Sequence, residues 1–329
     1  MSATPPVADA MPARGAFPGQ AAVAASMSLP VASVIIPHLN QVDLLARCLD
    51  SVLVQALDAP FEIIVVDNGS TVPMAAFRAR YPLVRWAAEA TPGPGPARNT
   101  GVGLARSAIL VFIDADCRAD PMWLATAVAA VRAAPEAGAV AGNVLVDCLD
   151  FKSMTGVEAY ETVFAYRFKM YVEKKGFAGT GNLAMARSVQ QKVGPFAGIG
   201  VAEDVDWGRR ATAMGLTFTY LPKMRIWHPA RPDFEALRVK WRRHIAHEFA
   251  EHRVLARPMW RWHARAVALI VSVIPDGVRL VLAPRVGGLG NRWRGLGVLA
   301  RIRCYRAAEM RRIAAVDGDV SGAAAWNRG

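Results

Sequence analysis

The stretch Ile109-Leu110-Val111-Phe112-Ile113-Asp114-Ala115-Asp116 decides the fold. Five consecutive apolar residues lead directly into two carboxylates that stand one residue apart. An apolar run of this length predicts a strand that is buried on both faces of a parallel sheet. Asp114 and Asp116 then fall at the carboxyl end of the strand, where open α/β sheets bind their ligands. Such a pair could hold a divalent cation that neutralises a diphosphate, although an isolated Asp-x-Asp is more often a polar turn.

The positive charge of the chain is concentrated in its C-terminal part. The 329 residues carry a formal net charge of +12. Between Arg253 and Arg312 there are 13 arginines and no lysine, against Asp276 and Glu309 as the acids, so this segment alone carries +11. The remainder is nearly neutral. The basic character therefore belongs to a tail and not to the body of the protein.

Length and composition predict one large α/β domain with an extension. Residues 1–30 are rich in Ala and Pro, which predicts a disordered arm, and they lack the pattern of a signal peptide, which favours a cytosolic body. The four scattered cysteines fit a reducing compartment and argue against a disulfide framework or a zinc knuckle. We place the globular domain at residues 31–245 and a basic amphipathic region at 246–329.

The first half of the body is predicted to alternate strands with helices. Residues 31–37 predict a strand that Pro37 stops, and residues 61–66 predict a second strand that ends in Asp67-Asn68-Gly69-Ser70. A third, shorter strand is predicted at 83–87. The order β-α-β-α-β-α-β-α indicates a parallel doubly wound half.

Several further elements follow from local patterns. The Pro- and Gly-rich residues 91–96 predict an exposed loop, with a helix directly after it. Residues 139–146 and 224–228 predict strands, and residues 203–215 predict a helix with acids in its first turn. Polar motifs thus stand repeatedly at predicted strand ends and helix starts.

Taken in order, these motifs resemble glycosyltransferase family 2. Its donor half is matched by Ser33-Val34-Ile35-Ile36-Pro37 with Asn40, Ile63 to Ser70, Ala97-Arg98-Asn99-x-Gly101 and Asp114-x-Asp116. Its acceptor half is matched by Gly181-Asn182, Val193-Gly194-Pro195-Phe196, Glu203-Asp204-x-Asp206 and His228-Pro229-Ala230-Arg231. The resemblance implies the α/β GT-A fold, a doubly wound mixed sheet, here with a helical basic C-terminal extension. It also implies a donor half at 31–147 and an acceptor half at 148–245.

The resemblance assigns donor binding to Pro37, Asn40, Asp67, Asn68, Arg98, Asn99, Asp114 and Asn182. Asp67 corresponds to the Asp that holds the nucleobase, and Arg98 to a position near the donor diphosphate, which a guanidinium and a helix N-terminus both favour. Without the resemblance, Asp67 begins a simple turn and Arg98 is solvated on a first helical turn. His38 and Leu39 stand where the family usually has a Tyr before the Asn, and Val72 interrupts a common Ser-x-Asp.

The resemblance also implies a metal site and a catalytic pair. Asp114 and Asp116 correspond to the metal-binding carboxylates for Mg or Mn, and His228 to a residue that completes such a site in several GT-A enzymes. Glu203 and Asp204 correspond to the catalytic pair, with Asp204 as the base. Two other interpretations stay open: acids are enriched in first helical turns anyway, and Asp206 with Arg210 could form a surface ion pair.

The tail is predicted to lie on a membrane surface. Residues 266–274 form an apolar run that is too short for a membrane span, and Trp260, Trp262, Trp293 and Tyr305 lie among arginines. Anionic headgroups of the inner leaflet would attract this charge. The rival interpretation is a nucleic-acid arm, but the apolar stretch 266–283 has no use on a phosphate backbone.

These observations together predict an inverting, metal-dependent glycosyltransferase. It would move a sugar from a nucleotide-diphosphate donor to a saccharide or lipid-linked acceptor, as a cytoplasmic protein peripheral to the inner face of the plasma membrane, without binding nucleic acid. The alternative is a GT-A-like protein that binds a partner at the membrane without turnover. A nucleotidyl transferase would need a Gly-rich, Lys-bearing phosphate loop near the first strand, which Pro37-His38-Leu39-Asn40 is not.

Overall fold

The computed structural model describes residues 29–148 and 150–316. The predicted N-terminal arm lies outside the described residues, except for its last two. The strands are β1 (Ser33–His38), β2 (Glu62–Asp67), β3 (Val84–Ala88), β4 (Ile109–Ile113), β5 (Arg118–Ala119), β6 (Gly138–Asp147), β7 (Asn182–Ala186) and β8 (Thr217–Pro229).

Twelve helices are formed in the same part of the chain. The helices of the body are α1 (Val42–Leu53), α2 (Ala75–Ala79), α3 (Pro94–Leu104), α4 (Trp123–Ala133), α5 (Gly156–Phe164), α6 (Phe168–Lys175), α7 (Arg187–Val193) and α8 (Glu203–Ala213). The helices that follow β8 are α9 (Phe234–Val254), α10 (Met259–Val271), α11 (Val273–Val281) and α12 (Leu289–Ala315).

One sheet of eight strands, in the order β3-β2-β1-β4-β7-β6-β8-β5, organises the body. Strands β3, β2, β1 and β4 are parallel neighbours, whereas β7 runs antiparallel to both β4 and β6. Every residue of β2 and β4 is buried, as expected for strands covered on both faces. The predicted doubly wound mixed sheet is confirmed. Its winding reverses between β1 and β4, the place where such sheets bind ligands.

Two predicted boundaries are corrected by packing. Residues 94–96 are not part of an exposed loop, because α3 already begins at Pro94, where proline is tolerated in a first turn. Gly95 is buried against the chain at Ala197, whose carbonyl oxygen would lie 1.9 Å from an added Cβ. Strand β1 continues past Pro37 to His38. The pairing of β1 with β4 stops at Ile35. Beyond that residue the edge of β1 that faced β4 needs no N–H donor, so the strand tolerates Pro37.

Strand β8 is longer than predicted and carries the last site residue into place. It pairs with β6 in parallel, with a shift of register between Gly142 and Asn143. An added Cβ at Gly142 would lie 2.2 Å from the carbonyl oxygen of Met224, so only glycine allows this approach. The short strand β5 pairs antiparallel with β8, Arg118 opposite Trp227, at the sheet edge next to Asp116.

The tail folds onto the body as a helical layer. Residue 245, the predicted end of the domain, lies inside the continuous helix α9. Trp262 is buried, packs edge-to-face against Phe249 with 5.0 Å between ring centroids, and donates its indole N–H to the carbonyl oxygen of Met310 at 2.8 Å. Its predicted place at a membrane interface is therefore wrong, because the helices fold back and use it as core. Trp260 is exposed.

No helix within the described ranges is both long enough and apolar enough to cross a bilayer.

Candidate active site

Asp114 lies at the carboxyl end of β4, as predicted. Its Oδ1 accepts a hydrogen bond from Nη2 of Arg98 at 2.7 Å. Its Oδ2 packs on Gly181, where an added Cβ would lie 2.3 Å from that oxygen. Burial raises the pKa of Asp114 above its usual range, while the charge of Arg98 opposes the shift. The side chain is therefore held in one orientation, with one oxygen committed to Arg98.

Asp116, Cys117 and His228 form a group whose ligand atoms all lie within 4.8 Å of one another. Oδ2 of Asp116 lies 3.1 Å from Nε2 of His228, and Nδ1 of His228 lies 2.7 Å from the carbonyl oxygen of Pro229. The second contact assigns the proton to Nδ1, so the lone pair of the neutral ring points from Nε2 toward Asp116. This group could hold a divalent cation. Asp114 was predicted as a further metal ligand but is not a member of it.

The side chains of Asp116 and His228 also shift each other's pKa. Burial by itself would raise the pKa of Asp116 and lower that of His228, but their mutual attraction outweighs burial. The pKa of Asp116 is therefore lowered and that of His228 raised. A bound cation would be held by this carboxylate and the neutral imidazole, and it would compete with a proton on the ring.

Arg98 joins the predicted donor half to the predicted acceptor half. The side chain is buried on α3, and its Nη1 donates to Oε1 of Glu203 at 3.0 Å while Nη2 holds Asp114. Within residues 29–148 and 150–316 its Nε has no partner. A bridge of this kind fixes the start of α8 relative to the end of β4. The guanidinium predicted near the donor diphosphate is thus already bonded to two carboxylates.

The acid pair, Glu203 and Asp204, begins helix α8. Burial and the neighbouring charge of Glu203 raise the pKa of Asp204 to about 6. One oxygen of Asp204 accepts the N–H of Val205 at 2.8 Å. Asp206 pairs instead with Arg210 at 2.9 Å, which is the surface ion pair that the sequence left open. A carboxyl group with a pKa of about 6 has a proton affinity suited to exchange near neutral pH.

Asp67 lies at the end of β2, opposite His38 of β1. Its two oxygens accept the N–H of Ser70 at 3.0 Å and Nη2 of Arg78 at 3.3 Å. His38 is buried, and neither ring nitrogen has a partner in the described chain. Burial lowers the pKa of His38, so the ring is neutral. An unpaired imidazole beside Asp67 is the polar group here that a ligand would satisfy.

Asn40 and Asn68 anchor loops at the same edge. Asn40 adopts φ of 59°, which Asn tolerates, and its Oδ1 accepts the N–H of Thr71 at 2.8 Å. Asn68 donates to the carbonyl oxygen of Thr91 at 2.8 Å and accepts the N–H of Gly93 at 2.7 Å. These predicted donor-binding side chains therefore shape the edge on which Pro37, half-buried in β1, also lies.

Asn99 and Asn182 are also used within the chain. The amide of Asn99 exchanges two hydrogen bonds with the backbone of Phe196, at 2.8 and 2.9 Å. Asn182 is fully buried; its Oδ1 accepts the indole N–H of Trp123 at 2.9 Å, and its Nδ2 donates to the carbonyl oxygen of Met224 at 3.0 Å. Asn182 therefore lies beneath the site and ties β7 to β8.

A cationic cluster, formed by Arg231 and by residues of α9, borders Glu203 and Asp204. Arg231 pairs with the fully buried Glu161, whose Oε1 lies 3.5 Å from Nζ of Lys240. Burial and the charge of Arg231 lower the pKa of Lys240 to about 8. The pKa of Arg243 is lowered by burial and by Arg231, against the attraction of the acid pair. One carboxylate faces several cations here, a composition that favours an anionic ligand.

Sequence reasoning gave no role to several residues of the site, among them Cys117, Tyr166 and Lys240. The ring of Tyr166 lies 4.6 Å from that of His228, with φ of 49°, and Nζ of Lys240 lies 5.4 Å from the Tyr166 ring. Cys117 has a signal in the sequence, since it directly follows Asp116. Tyr166 and Lys240 have no such signal, because only tertiary packing brings them to the metal group, which is the name used here for Asp116, Cys117 and His228.

Comparison with known proteins places this arrangement in a family. The family model described as glycosyl transferase family 2 matches residues 33–194. Succinoglycan biosynthesis protein ExoO of Rhizobium meliloti is 30% identical over 131 residues, 39% of this chain and 36% of that protein. A solved structure of mannosyltransferase PcManGT from Pyrobaculum calidifontis in complex with GDP-Man and Mn²⁺ has a TM-score of 0.49 and 23% identity, and covers 91% of this chain and 79% of that one.

The relative that settles the family is glycosyltransferase AglE of Haloferax volcanii. It is 33% identical over 222 residues, which are 65% of this chain and 72% of that protein. At this identity and coverage, together with the match over 33–194, the chain belongs to glycosyl transferase family 2 and is a glycosyltransferase.

Proposed function

We propose that the protein is an inverting, metal-dependent glycosyltransferase that moves a sugar from a nucleotide-diphosphate donor to a saccharide or lipid-linked acceptor. The observation that carries this proposal is the Arg98 bridge. Through contacts of 2.7 and 3.0 Å, one buried guanidinium holds Asp114 at the donor strand end and Glu203 of the acid pair. The groups needed for donor binding and for acceptor activation therefore share one edge of the sheet.

In this proposal Asp204 is the base. A sugar hydroxyl has a pKa far above neutral, so a carboxylate must take its proton as the oxygen attacks the anomeric carbon. A pKa of about 6 leaves Asp204 ionised at neutral pH and still able to accept that proton. Glu203, which is paired with Arg98, lies beside Asp204 and contributes to its raised pKa. Direct attack opposite the leaving group inverts the anomeric configuration.

The donor side is assigned to the strand ends. Asp116 and His228 would hold Mg or Mn, and Asp67 would face the nucleobase. A cation held there would act as a Lewis acid on the leaving diphosphate. An imidazole ligand favours Mn over Mg. Lys240 lies 5.4 Å from the ring of Tyr166, which packs on His228, and Arg243 is attracted by the acid pair. The charge of these two residues would attract the diphosphate as it departs.

We propose further that the tail holds the enzyme on the anionic inner face of the plasma membrane, within reach of a lipid-linked acceptor. Helices α10 and α11 expose a set of apolar side chains, here called the apolar ridge: Val267, Ile270, Val271, Ile274, Val278 and Leu282. Ile274 is 76% exposed. A ridge of this kind within a segment of +11 charge suits insertion among acyl chains and attraction to anionic headgroups.

A screen of nucleotide-diphosphate sugars tests the transferase assignment. We expect one class of donor to raise the melting temperature more with Mn²⁺ than without it. NMR of the product formed on a saccharide acceptor should show an anomeric configuration opposite to that of the donor. Asp204→Asn should bind the donor and fail to turn it over. Donor binding without any sugar transfer by the wild type would favour the silent binding protein instead.

A further inference from the structure

Cys117 lies against the metal group, and the strand pairing explains how it gets there. Strand β5 begins directly after Cys117, and Arg118 lies opposite Trp227 in antiparallel register. Continuing that register by one residue sets Cys117 opposite His228. Asp116 is the chain neighbour of Cys117, so the carboxylate, the thiol and the imidazole converge from both strands.

Two contacts within the group are as short as those between ligands on one cation, and its three ligand atoms all lie within 4.8 Å of one another. Oδ2 of Asp116 lies 3.1 Å from Nε2 of His228, and Sγ of Cys117 lies 3.4 Å from Oδ1 of Asp116. Ligand atoms bound at zinc-like distances are about 2.9 to 3.6 Å apart, for angles between a right angle and the tetrahedral one. The Nδ1 contact of His228 with Pro229 orients the ring for such a role.

The thiol is sheltered from solvent. Cys117 is 2% exposed, and its Sγ donates weakly to Oδ1 of Asp116 at 3.4 Å. On binding a cation, the sulfur would form the bond to the metal and release its proton to solvent.

We propose that Cys117 is a third protein ligand of this cation site and gives the site a preference for zinc-group cations over Mg²⁺. Thiolate is a soft ligand that favours zinc-group metals, whereas carboxylates and water suit Mg²⁺. Asp116, Cys117 and His228 together make the ligand set of a zinc site that keeps one position open. The proposal rests on the metal group of the proposed function and not on the transfer step.

Cadmium titration of the full chain tests this, because a cadmium–thiolate bond gives an ultraviolet charge-transfer band that carboxylate and imidazole ligands do not give. The background is a Cys148→Ser, Cys304→Ser chain, which keeps only the two thiols buried in the body, Cys48 and Cys117. We expect stoichiometric Cd²⁺ to produce the band. Adding Cys117→Ser should abolish it and weaken Cd²⁺ binding, measured by calorimetry, about tenfold or more, with less effect on Mn²⁺.

Cys48→Ser is the matched control, since Cys48 is equally buried and its Sγ lies 3.6 Å from the carbonyl oxygen of Asp114. It should keep the band. A band that persists in Cys117→Ser, or Cd²⁺ binding to the background without a band, overturns the proposal. Failure of both Cd²⁺ and Mn²⁺ to bind would overturn the metal group as well.

If Cys117→Ser does not fold, His228→Gln on the same background decides. That variant keeps the thiol, so we expect a retained band with Cd²⁺ affinity lowered about tenfold or more. Unchanged Cd²⁺ affinity would mean that the band arises away from this group, and the proposal would be wrong.

Discussion

Glu203 and Asp204 are neighbours in the chain, yet their surroundings give them different work. Glu203 accepts a hydrogen bond from the buried Arg98, whereas Asp204 has its pKa raised to about 6 by burial and by the charge of Glu203. The sequence predicts the pair through its place at a helix start. It does not show which acid is paired with arginine, because Arg98 lies 105 residues away in the chain.

The pH dependence of turnover follows from this asymmetry. As the proposed base, Asp204 must be ionised to accept a proton, so kcat/KM should rise with pH through about 6 and level above it. Glu203→Gln removes the adjacent negative charge and should move this limb to lower pH. Asp206→Asn, whose partner is Arg210, is the control and should leave the limb in place. A limb that does not move in Glu203→Gln would contradict the assignment of Asp204.

Asp204 should also lower stability at the pH where it works. Its pKa in the folded protein is about 6 against a reference of 3.8, so the folded state holds the proton more tightly. The contribution of Asp204 to stability is then greatest below pH 4 and falls as pH rises to 6. Asp204→Asn removes this penalty and should raise the free energy of unfolding by at most about 3 kcal/mol at pH 7, and by little at pH 4. Urea titrations at both pH values measure this; destabilisation at pH 7 would contradict it.

At the scale of elements, the site depends on how closely α3, β4 and α8 approach one another. Arg98 of α3 holds Asp114 after β4 and Glu203 at the start of α8. The predicted motifs lie on these elements, and the predicted loop 91–96 is the main error. Local composition favoured a loop there, but packing against the chain at Ala197 makes helix from Pro94 onward.

Replacing Arg98 by methionine should loosen this junction. Asp114 and Glu203 would lose their shared partner, and we expect a loss of about 1–3 kcal/mol at pH 7, less than for a fully buried pair because both acids are partly exposed. The loss should shrink at acidic pH, as the carboxylates take up protons. Arg47→Met is the control: its pair with Asp147 is exposed, so its effect should stay below about 1 kcal/mol. Chemical denaturation compares the two variants.

Two glycines of α3 should respond to alanine with opposite signs. At Gly95 an added Cβ would meet the carbonyl oxygen of Ala197 at 1.9 Å, so Gly95→Ala should cost more than about 2 kcal/mol. At Gly103 nothing lies within 4 Å, so Gly103→Ala should stabilise the helix by up to about 1 kcal/mol. Thermal unfolding of both variants is the measurement. Equal effects would show that the approach of α3 to Ala197 is not as close as described.

At the scale of the whole molecule, the tail presents charge and apolar surface together. The helices α10 and α11 pack on α12, and the side chains of the apolar ridge remain exposed to solvent. Part of the tail's charge is used internally, as in the pairs Arg303–Asp276 at 2.6 Å and Arg265–Glu248 at 2.7 Å. The remaining arginines and the ridge are what a membrane surface would meet.

Membrane binding should depend on the ridge as well as on charge. Val271→Glu with Ile274→Glu should reduce binding to anionic liposomes strongly, since each acid would have to enter the apolar layer. Met214→Glu, an exposed apolar residue at the end of α8, is the control and should bind as the wild type does. Sedimentation with liposomes and with oligonucleotides across a salt series separates the partners. If high salt releases all the protein from liposomes, the proposed insertion of the apolar ridge is wrong. Preferred binding to oligonucleotides would favour the nucleic-acid arm.

The sequence by itself determined the buried parallel strands, the fold class and the family. Runs such as 109–113 have no alternative to two-sided burial, and the polar residues after them must then lie at one edge of the sheet. Hydrophobic burial is encoded locally by pattern, so these predictions needed no knowledge of distant contacts.

Only the tertiary structure decided which polar side chains are occupied and which are available. In the folded chain Arg98 is bonded to two carboxylates, and Asn182 is buried beneath the site. Trp262 is part of the core, and Cys117 lies against His228. Hydrogen bonds and ion pairs of this kind join residues far apart in the chain, and their partners are set by how β5 meets β8 and α3 meets α8. No local pattern records such meetings, because they depend on the packing of whole elements.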